Sequence, residues 1–453
     1  MHHYDQALAD LILSHVAERV SYDETPLDHP GDAADIAGHL AGLMTATGND
    51  PAEVLRIYTD HLAKSVISAD SPRFLTFIPA APTKASLLFD MVVSAASLQG
   101  ISWLEAAGVV AAENQVLRVI ADAAGMGPGA GGCFVSGGSA ANLSALAVAR
   151  DTARRRRGDD RARLRLAVSD QAHSSIKHTA GLLDMGLLVV PTVAHRLTGA
   201  ALEAALAADP DSASVIGVVA TSGTTNAGII DDLAGVSAVA QQQGLWFHVD
   251  GAYGGGGLFA PSVRSRYDGI EHADSFIMDP HKWLFAPYDC AALLYKDPSL
   301  ARAVHTQDAS YLDAIHTADA MGAHPIAWNP TDYAYHLTRR ARGLPLWFSM
   351  AVHGTDAYRA AVEHGLTLAR QTARHIDASP YLTLLREPEL SVVLFERDGW
   401  TDAQYQGWCD KLLIEQVAFV TTSRWEGRTI GRLVFLHPST TMAMVAQILD
   451  AAA

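Results

Sequence analysis

The stretch Leu245-Trp246-Phe247-His248-Val249-Asp250-Gly251-Ala252-Tyr253 reads as a short apolar strand that ends in an aspartate. The same pattern recurs on its N-terminal side. Short apolar runs at 133–135, 164–168, 186–190 and 215–220 read as strands, with helices over 142–157 and 236–243. Brief continuous apolar strands separated by helices predict an α/β fold with a mostly parallel sheet covered on both faces. In such sheets ligands bind beyond the carboxyl ends of the strands. The residues after each strand therefore carry the functional reading.

The flanks differ. Residues 1–80 read as helices broken by turns, with Leu8, Leu11, Ile12 and Val16 at helical spacing and a helix start at Asn49-Asp50-Pro51. Ser71-Pro72-Arg73-Phe74 and Ile78-Pro79-Ala80-Ala81-Pro82 form an extended, proline-punctuated segment, and a long helix covers 103–124. After about 345 the composition changes to a long helix over 346–374 and strands at 390–395 and 432–436. The expected divisions are an N-terminal helical segment (1–80), a large domain (81–345) and a small C-terminal α+β domain (346–453). The four arginines Arg154 to Arg157 read as a solvated helix end, where cations suit the dipole.

A formal net charge of -16 over 453 residues argues against nucleic acid and anionic membrane as partners. No apolar run approaches the roughly 20 residues that span a bilayer. The first twenty residues lack the basic and apolar regions of a signal peptide, so a cytoplasmic location is expected. Three widely spaced cysteines, Cys133, Cys290 and Cys409, offer no disulfide framework. There is no HExxH and no clustered Cys/His spacing, so no metal site is expected, and the glycine loops lack a Walker pattern.

The chemistry concentrates after the strands. Asp279-Pro280-His281-Lys282-Trp283 sets a lysine among aromatic and apolar neighbours, about thirty residues beyond Asp250. A free lysine, with a pKa of ~10.4, is a poor nucleophile until it loses its charge. An aspartate at a strand end followed by such a lysine suits pyridoxal 5′-phosphate (PLP): the lysine bonds the aldehyde and the aspartate keeps the pyridine nitrogen protonated. Ser136-Gly137-Gly138-Ser139 follows a strand and opens a helix, as a phosphate cradle would, although such loops are also plain turns. His173 and the hydroxyl-rich Thr221-Ser222-Gly223-Thr224-Thr225 also follow strands. Taken singly, each is as compatible with a structural histidine or an ordinary turn. Asp231 reads as a loop or cap residue.

Together, and in this order, these motifs resemble the group II PLP-dependent amino-acid decarboxylases, over roughly residues 70–350. The resemblance implies a fold type I, PLP-dependent transferase-like large domain. It implies that Lys282 is the Schiff-base lysine with His281 beside it, Asp250 the partner of the pyridinium, and Ala252 the packing beneath the ring. It further implies that His173 stacks on the other ring face, Thr225 lies near the ring substituents, and Gly138, Ser139 and Asp279 hold the phosphate. Asp279 is a carboxylate where some relatives have asparagine. The segment from Gln307 to about Asn329 resembles the family's catalytic loop, which closes over the partner subunit's site and brings Tyr311 to protonate the substrate carbanion. A homodimer wrapped by the N-terminal helices is implied. The substrate side chain would touch Phe77 to Ala80 and, across the dimer, Gln99 to Ile101. Aromatic-specific relatives tend to carry an aromatic residue in place of Ile101 and a threonine in place of Ala80. These departures leave an apolar but altered pocket; decarboxylation of an aromatic L-amino acid is the first expectation, with aliphatic, acidic or diamino acids and an aldehyde-forming oxidative reaction as alternatives. A non-catalytic PLP-binding protein is the rival of a different class.

Overall fold

A computed structural model describes residues 2–316 and 327–453. Two compact units make up the chain. One comprises Ala85–Thr367 with Pro388–Val392, the other Met1–Lys84, Leu368–Glu387 and Val393–Ala453.

The larger unit is built on a seven-stranded sheet. Its strands are β1 (Gly131–Val135), β2 (Arg165–Ser169), β3 (Gly186–Val190), β4 (Val215–Thr221), β5 (Trp246–Asp250), β6 (Ser275–Met278) and β7 (Ala291–Tyr295), in the spatial order β1-β7-β6-β5-β4-β2-β3. Only β7 runs against the others: it pairs antiparallel with both β1 and β6, so β1 shares the direction of the parallel set. Strands β1, β4, β5 and β7 are buried along their whole length, as a sheet covered on both faces requires. The expected α/β class holds. Six strands therefore present their carboxyl ends along one edge, where Thr221 sits opposite Asp250 and Asp250 opposite Ile277.

The helix after β1 spans Gly138–Arg157, four residues earlier than its expected start. The glycines read as a loop are thus partly its first turn. It ends on the four arginines and on Gly158 in the left-handed conformation (φ 64°), with the Gly158 N–H turned back onto the last carbonyls.

The smaller unit holds the strands β8 (Leu382–Leu384), β9 (Val392–Arg397), β10 (Ser423–Trp425) and β11 (Arg428–Val434), in the order β10-β11-β9-β8. β10 and β11 form a hairpin across Glu426-Gly427, both with positive φ, the two-residue turn that matches strand twist. The three consecutive divisions expected are replaced by a different partition. The proline-punctuated segment runs against the C-terminal strands: Leu75 N–H donates to the Phe419 carbonyl, Phe419 N–H to that of Arg73, and Val434 N–H to that of Leu75. Leu75 is buried in the core with Phe395, Leu433 and Phe435. Residues 346–367 of the long helix Leu344–Asp377, expected in the small domain, cluster with the large unit. Apolar burial joins segments more than 300 residues apart, which composition along the chain does not reveal.

Candidate active site

A cavity of about 610 Å³ opens at the carboxyl edge of the seven-stranded sheet. Gly138, Ser139, His173, Thr225, Asp250, Ala252, Asp279, His281 and Lys282 all line it. The loops that bring them together leave β1, β2, β4, β5 and β6 at the same edge, so a parallel sheet converts five separate stretches of sequence into one site.

Asp250 is buried (4% exposed) and has a partner on each oxygen. Oδ1 accepts from the Ala252 N–H at 3.0 Å, and Oδ2 accepts from Asn142 Nδ2 at 3.0 Å. His173 caps the helix Ser174–Leu182, its Nδ1 accepting from the Ser175 N–H at 3.2 Å. At Gly138 the backbone comes so close that a Cβ would lie 3.1 Å from the Cβ of Ala252 and from an Asp279 carboxylate oxygen. Only a glycine leaves the first turn of the helix Gly138–Arg157 open there.

Lys282 sits on the short helix Pro280–Trp283, with its Nζ 2.9 Å from Asp279 Oδ2. Burial alone would lower its pKa, but the Asp279 carboxylate, and behind it Asp250, outweigh burial and raise it. An acid partner therefore holds the ammonium, and the proton must leave as the nitrogen bonds an aldehyde. His281 is buried, accepts at Nδ1 from the Cys290 N–H at 3.1 Å, and lies 3.5 Å through Nε2 from Asp279 Oδ2. Burial lowers its pKa, so it is a neutral ring carrying its proton on Nε2. Asp231 is a buried carboxylate that accepts from the backbone of Leu197 (2.8 Å) and Thr221 (2.7 Å); burial raises its pKa to about 7. Its place is structural, as expected.

Other expected residues lie elsewhere. Tyr311 is 72% exposed on the turn Ser310–Ile315 and is not part of its own protomer's cavity wall. Of the expected catalytic loop, residues 317–326 lie outside the described residues. Gln99 is exposed and donates to Glu105 at 3.3 Å, and the carbonyl of the half-buried Ile101 accepts from the Thr331 N–H. Neither lines the cavity. Phe77 and Ala80 belong to the smaller unit, where Phe77 is exposed, its carbonyl accepts from Arg432, and Ala80 is buried.

Sequence reasoning missed Asn142, Ser175 and Tyr288. Tyr288 lines the cavity with its ring 5.0 Å from that of His281. Asn142 stands one turn inside the helix after the Gly-Ser loop, and only the distance to Asp250 reveals it. Among the described residues, no cluster of His, Cys, Asp or Glu is placed to hold a metal ion, and no helix is long and apolar enough to cross a membrane.

The fold and the cavity describe a PLP-binding scaffold. Residues 42–397 match the pyridoxal-dependent decarboxylase conserved domain. An aromatic-L-amino-acid decarboxylase of Bacillus atrophaeus is 27% identical over 97% of this chain and 92% of its own length. An L-2,4-diaminobutyrate decarboxylase of Rhizobium meliloti is 32% identical over 81% of this chain and 74% of its own. The crystal structure of Oryza sativa TDC with PLP and tryptamine superposes with a TM-score of 0.89, at 22% identity, over 99% of this chain and 97% of that one. The chain belongs to the pyridoxal-dependent decarboxylase family. It is a PLP-dependent amino-acid decarboxylase, a lyase of amino-acid metabolism. The site suits the cofactor: an open helix N-terminus faces the cavity, a lysine projects into it, and a doubly hydrogen-bonded carboxylate stands at a strand end.

Proposed function

We propose that the substrate is an aromatic L-amino acid, released as its amine and carbon dioxide. The observation that carries this reading is the cavity wall, which offers Tyr288, Tyr335, Leu143 and Leu182 and, among the described residues, no arginine. An acidic side chain would find no guanidinium to pair with, whereas an aromatic ring gains from burial against aromatic and aliphatic side chains. A diamino acid is the second reading, favoured by Asp289 on the wall; that carboxylate is already paired with Arg342. The names of the relatives include both substrate classes.

The roles assigned to the residues follow from their chemistry. Lys282 would bond the cofactor aldehyde, and Gly138, Ser139 and the first turn of their helix would hold the phosphate through backbone N–H groups. Asp279, at the same cradle, serves Lys282 more readily than an anionic phosphate. His173 and Ala252 would lie on the two faces of the ring, with Thr225 and His281 at its edge. Asp250 would keep a proton on the pyridine nitrogen. Bound PLP supplies an electron sink for the pair left behind as the carboxylate departs. Tyr311, from the partner subunit, would hold the proton that the substrate carbon receives. Its exposure supports a role outside its own protomer. So does the helix Gln6–Ser21, which buries none of its residues and exposes Leu8, Ile12 and Leu13. A homodimer would cover that face. Tyrosine at this position favours decarboxylation over aldehyde formation.

A panel of L-amino acids, with carbon dioxide, amine and aldehyde measured separately, tests the reading. Tryptophan, tyrosine or phenylalanine should be turned over fastest, giving amine. Faster turnover of diaminobutyrate or glutamate would sink the aromatic assignment, and aldehyde with ammonia and peroxide would point to the oxidative reaction. Lys282→Ala should abolish turnover and the visible absorption of the lysine-bound cofactor.

A further inference from the structure

A continuous hydrogen-bonded chain lies behind Asp250, and its members come from β5, β6 and two helices. Trp246 Nε1–H donates to Ser275 Oγ at 2.8 Å. Ser275 Oγ lies 2.7 Å from His248 Nδ1, and His248 Nε2 lies 2.9 Å from Asn142 Oδ1. Asn142 Nδ2 donates to Asp250 Oδ2 at 3.0 Å and to Ser175 Oγ at 3.2 Å. Ser175 Oγ lies 2.9 Å from His173 Nδ1. All of these residues except His173 are buried, with Ser275 and His248 at 0% exposure and Asn142 at 1%.

Its two ends fix the direction of every link. An indole N–H can only donate, and an ionised carboxylate can only accept. Asn142 must therefore turn its amide nitrogen to Asp250 and its oxygen to His248. His248 then carries its proton on Nε2 and accepts at Nδ1 from the Ser275 hydroxyl, which in turn accepts from Trp246. The second N–H of Asn142 occupies Ser175 Oγ, so that hydroxyl donates to His173 Nδ1. This leaves the proton of neutral His173 on Nε2. Burial lowers the pKa of His248 to about 4, in keeping with a neutral ring. Turning the Asn142 amide over would set its oxygen against the Asp250 carboxylate and leave a buried donor without a partner, which costs more than the bonds themselves contribute.

We propose that His248 and Ser275 are positioning residues for the cofactor's charge partner: through the Asn142 amide they hold the Asp250 carboxylate aimed at the cavity, and through Ser175 they set the tautomer of His173. The inference rests on the reading of Asp250 as the partner of the pyridine nitrogen. The chain also joins the group assigned to the ring nitrogen to the group assigned to the ring face, so both answer to one amide. Neither His248 nor Ser275 lines the cavity.

The test compares His248→Phe, His248→Gln, Ser275→Ala and Asp250→Ala for PLP affinity and for the pH dependence of the visible absorption of bound PLP. The ionisable groups lining the cavity near Asp250 (His173, Asp279, His281, Lys282 and Tyr288) are unchanged in the first three variants. His248→Phe keeps an aromatic ring and removes both bonds. It should weaken PLP binding about tenfold or more, the usual effect of losing an outer partner of a buried ligand, and shift the absorption midpoint. Ser275→Ala should change both readouts in the same direction. His248→Gln, whose amide can donate to Asn142 and accept from Ser275, should recover most of the affinity and the midpoint. Folded His248→Phe or Ser275→Ala protein with wild-type affinity and midpoint would overturn the proposal, as would a His248→Gln variant no better than His248→Phe. If His248→Phe does not fold, by far-ultraviolet circular dichroism, Ser275→Ala decides alone. Asp250→Ala guards the underlying reading: wild-type affinity and midpoint in that variant would remove the role of Asp250 itself.

Discussion

His248 shows how much of this protein's chemistry is decided by where a proton can go. Its ring is fully buried and its pKa falls from the ordinary 6.5 to about 4, first through burial, with the Asp250 charge opposing. Protonation therefore favours the unfolded chain. The stability conferred by the neutral ring is complete above pH 6.5 and is lost as pH falls toward about 4, a change on the order of 3 kcal/mol. His336, also lowered to about 4 by burial, acts in the same direction. Denaturant unfolding at pH 7.5, 5.5 and 4.5 should show this loss, and His248→Gln should flatten it. Stability that is equal at the three values in the wild type would contradict the assignment. Asp250, Lys282 and His173 stood out in the sequence because Asp250 ends a strand and the other two follow strands within four residues, where side-chain chemistry suggests a cofactor. Asn142, Ser175, His248 and Ser275 were not, since an asparagine or serine inside an element carries no signal until its neighbours across the sheet are known. The proton state of Lys282 was likewise hidden, because it depends on a 2.9 Å contact with Asp279.

At the scale of the element, the helix Gly138–Arg157 carries two independent demands. Its start opens on the cavity and its end must stop cleanly. Gly158 adopts φ 64°, and a Cβ there would meet nothing within 4 Å. Gly158→Ala should therefore cost only the strain of the left-handed backbone, about 1 kcal/mol, visible as a lower denaturant midpoint with PLP affinity unchanged. A loss of PLP affinity in that variant would mean that the two ends of the helix are coupled. Strands β1 to β5, β9 and β11 were legible from their short apolar runs and came within a few residues of their observed bounds, whereas β6, β7, β8 and β10 were not read. The start of this helix was not, because glycines read as a loop even where the backbone is already helical. The hairpin β10–β11 was also missed, since β10 spans only three residues and the turn, Glu426-Gly427, lacks the usual Asn-Gly signal.

At the scale of the whole molecule, the proposed dimer makes a quantitative demand. If Tyr311 acts across the interface, Lys282→Ala and Tyr311→Phe damage opposite subunits of one site. Mixed and re-associated, the two inactive proteins should recover about a quarter of the wild-type sites, because half the dimers are mixed and each mixed dimer has one intact site. No recovery, with mixed dimers demonstrated by differential tagging, would place Tyr311 in its own protomer's site or outside catalysis. By itself the sequence determined the α/β class and the direction of most of the sheet, and it singled out Lys282 and Asp250, which the fold brings to one cavity, because strand periodicity and side-chain chemistry are local properties. Tertiary structure alone decided that Phe74 and Leu75 pack with residues 368–453, that β7 reverses the sheet, and that an asparagine and a buried histidine stand behind Asp250. Those facts depend on contacts between residues far apart in the chain. Burial of apolar surface and the satisfaction of buried polar groups choose such contacts only when the whole chain is folded.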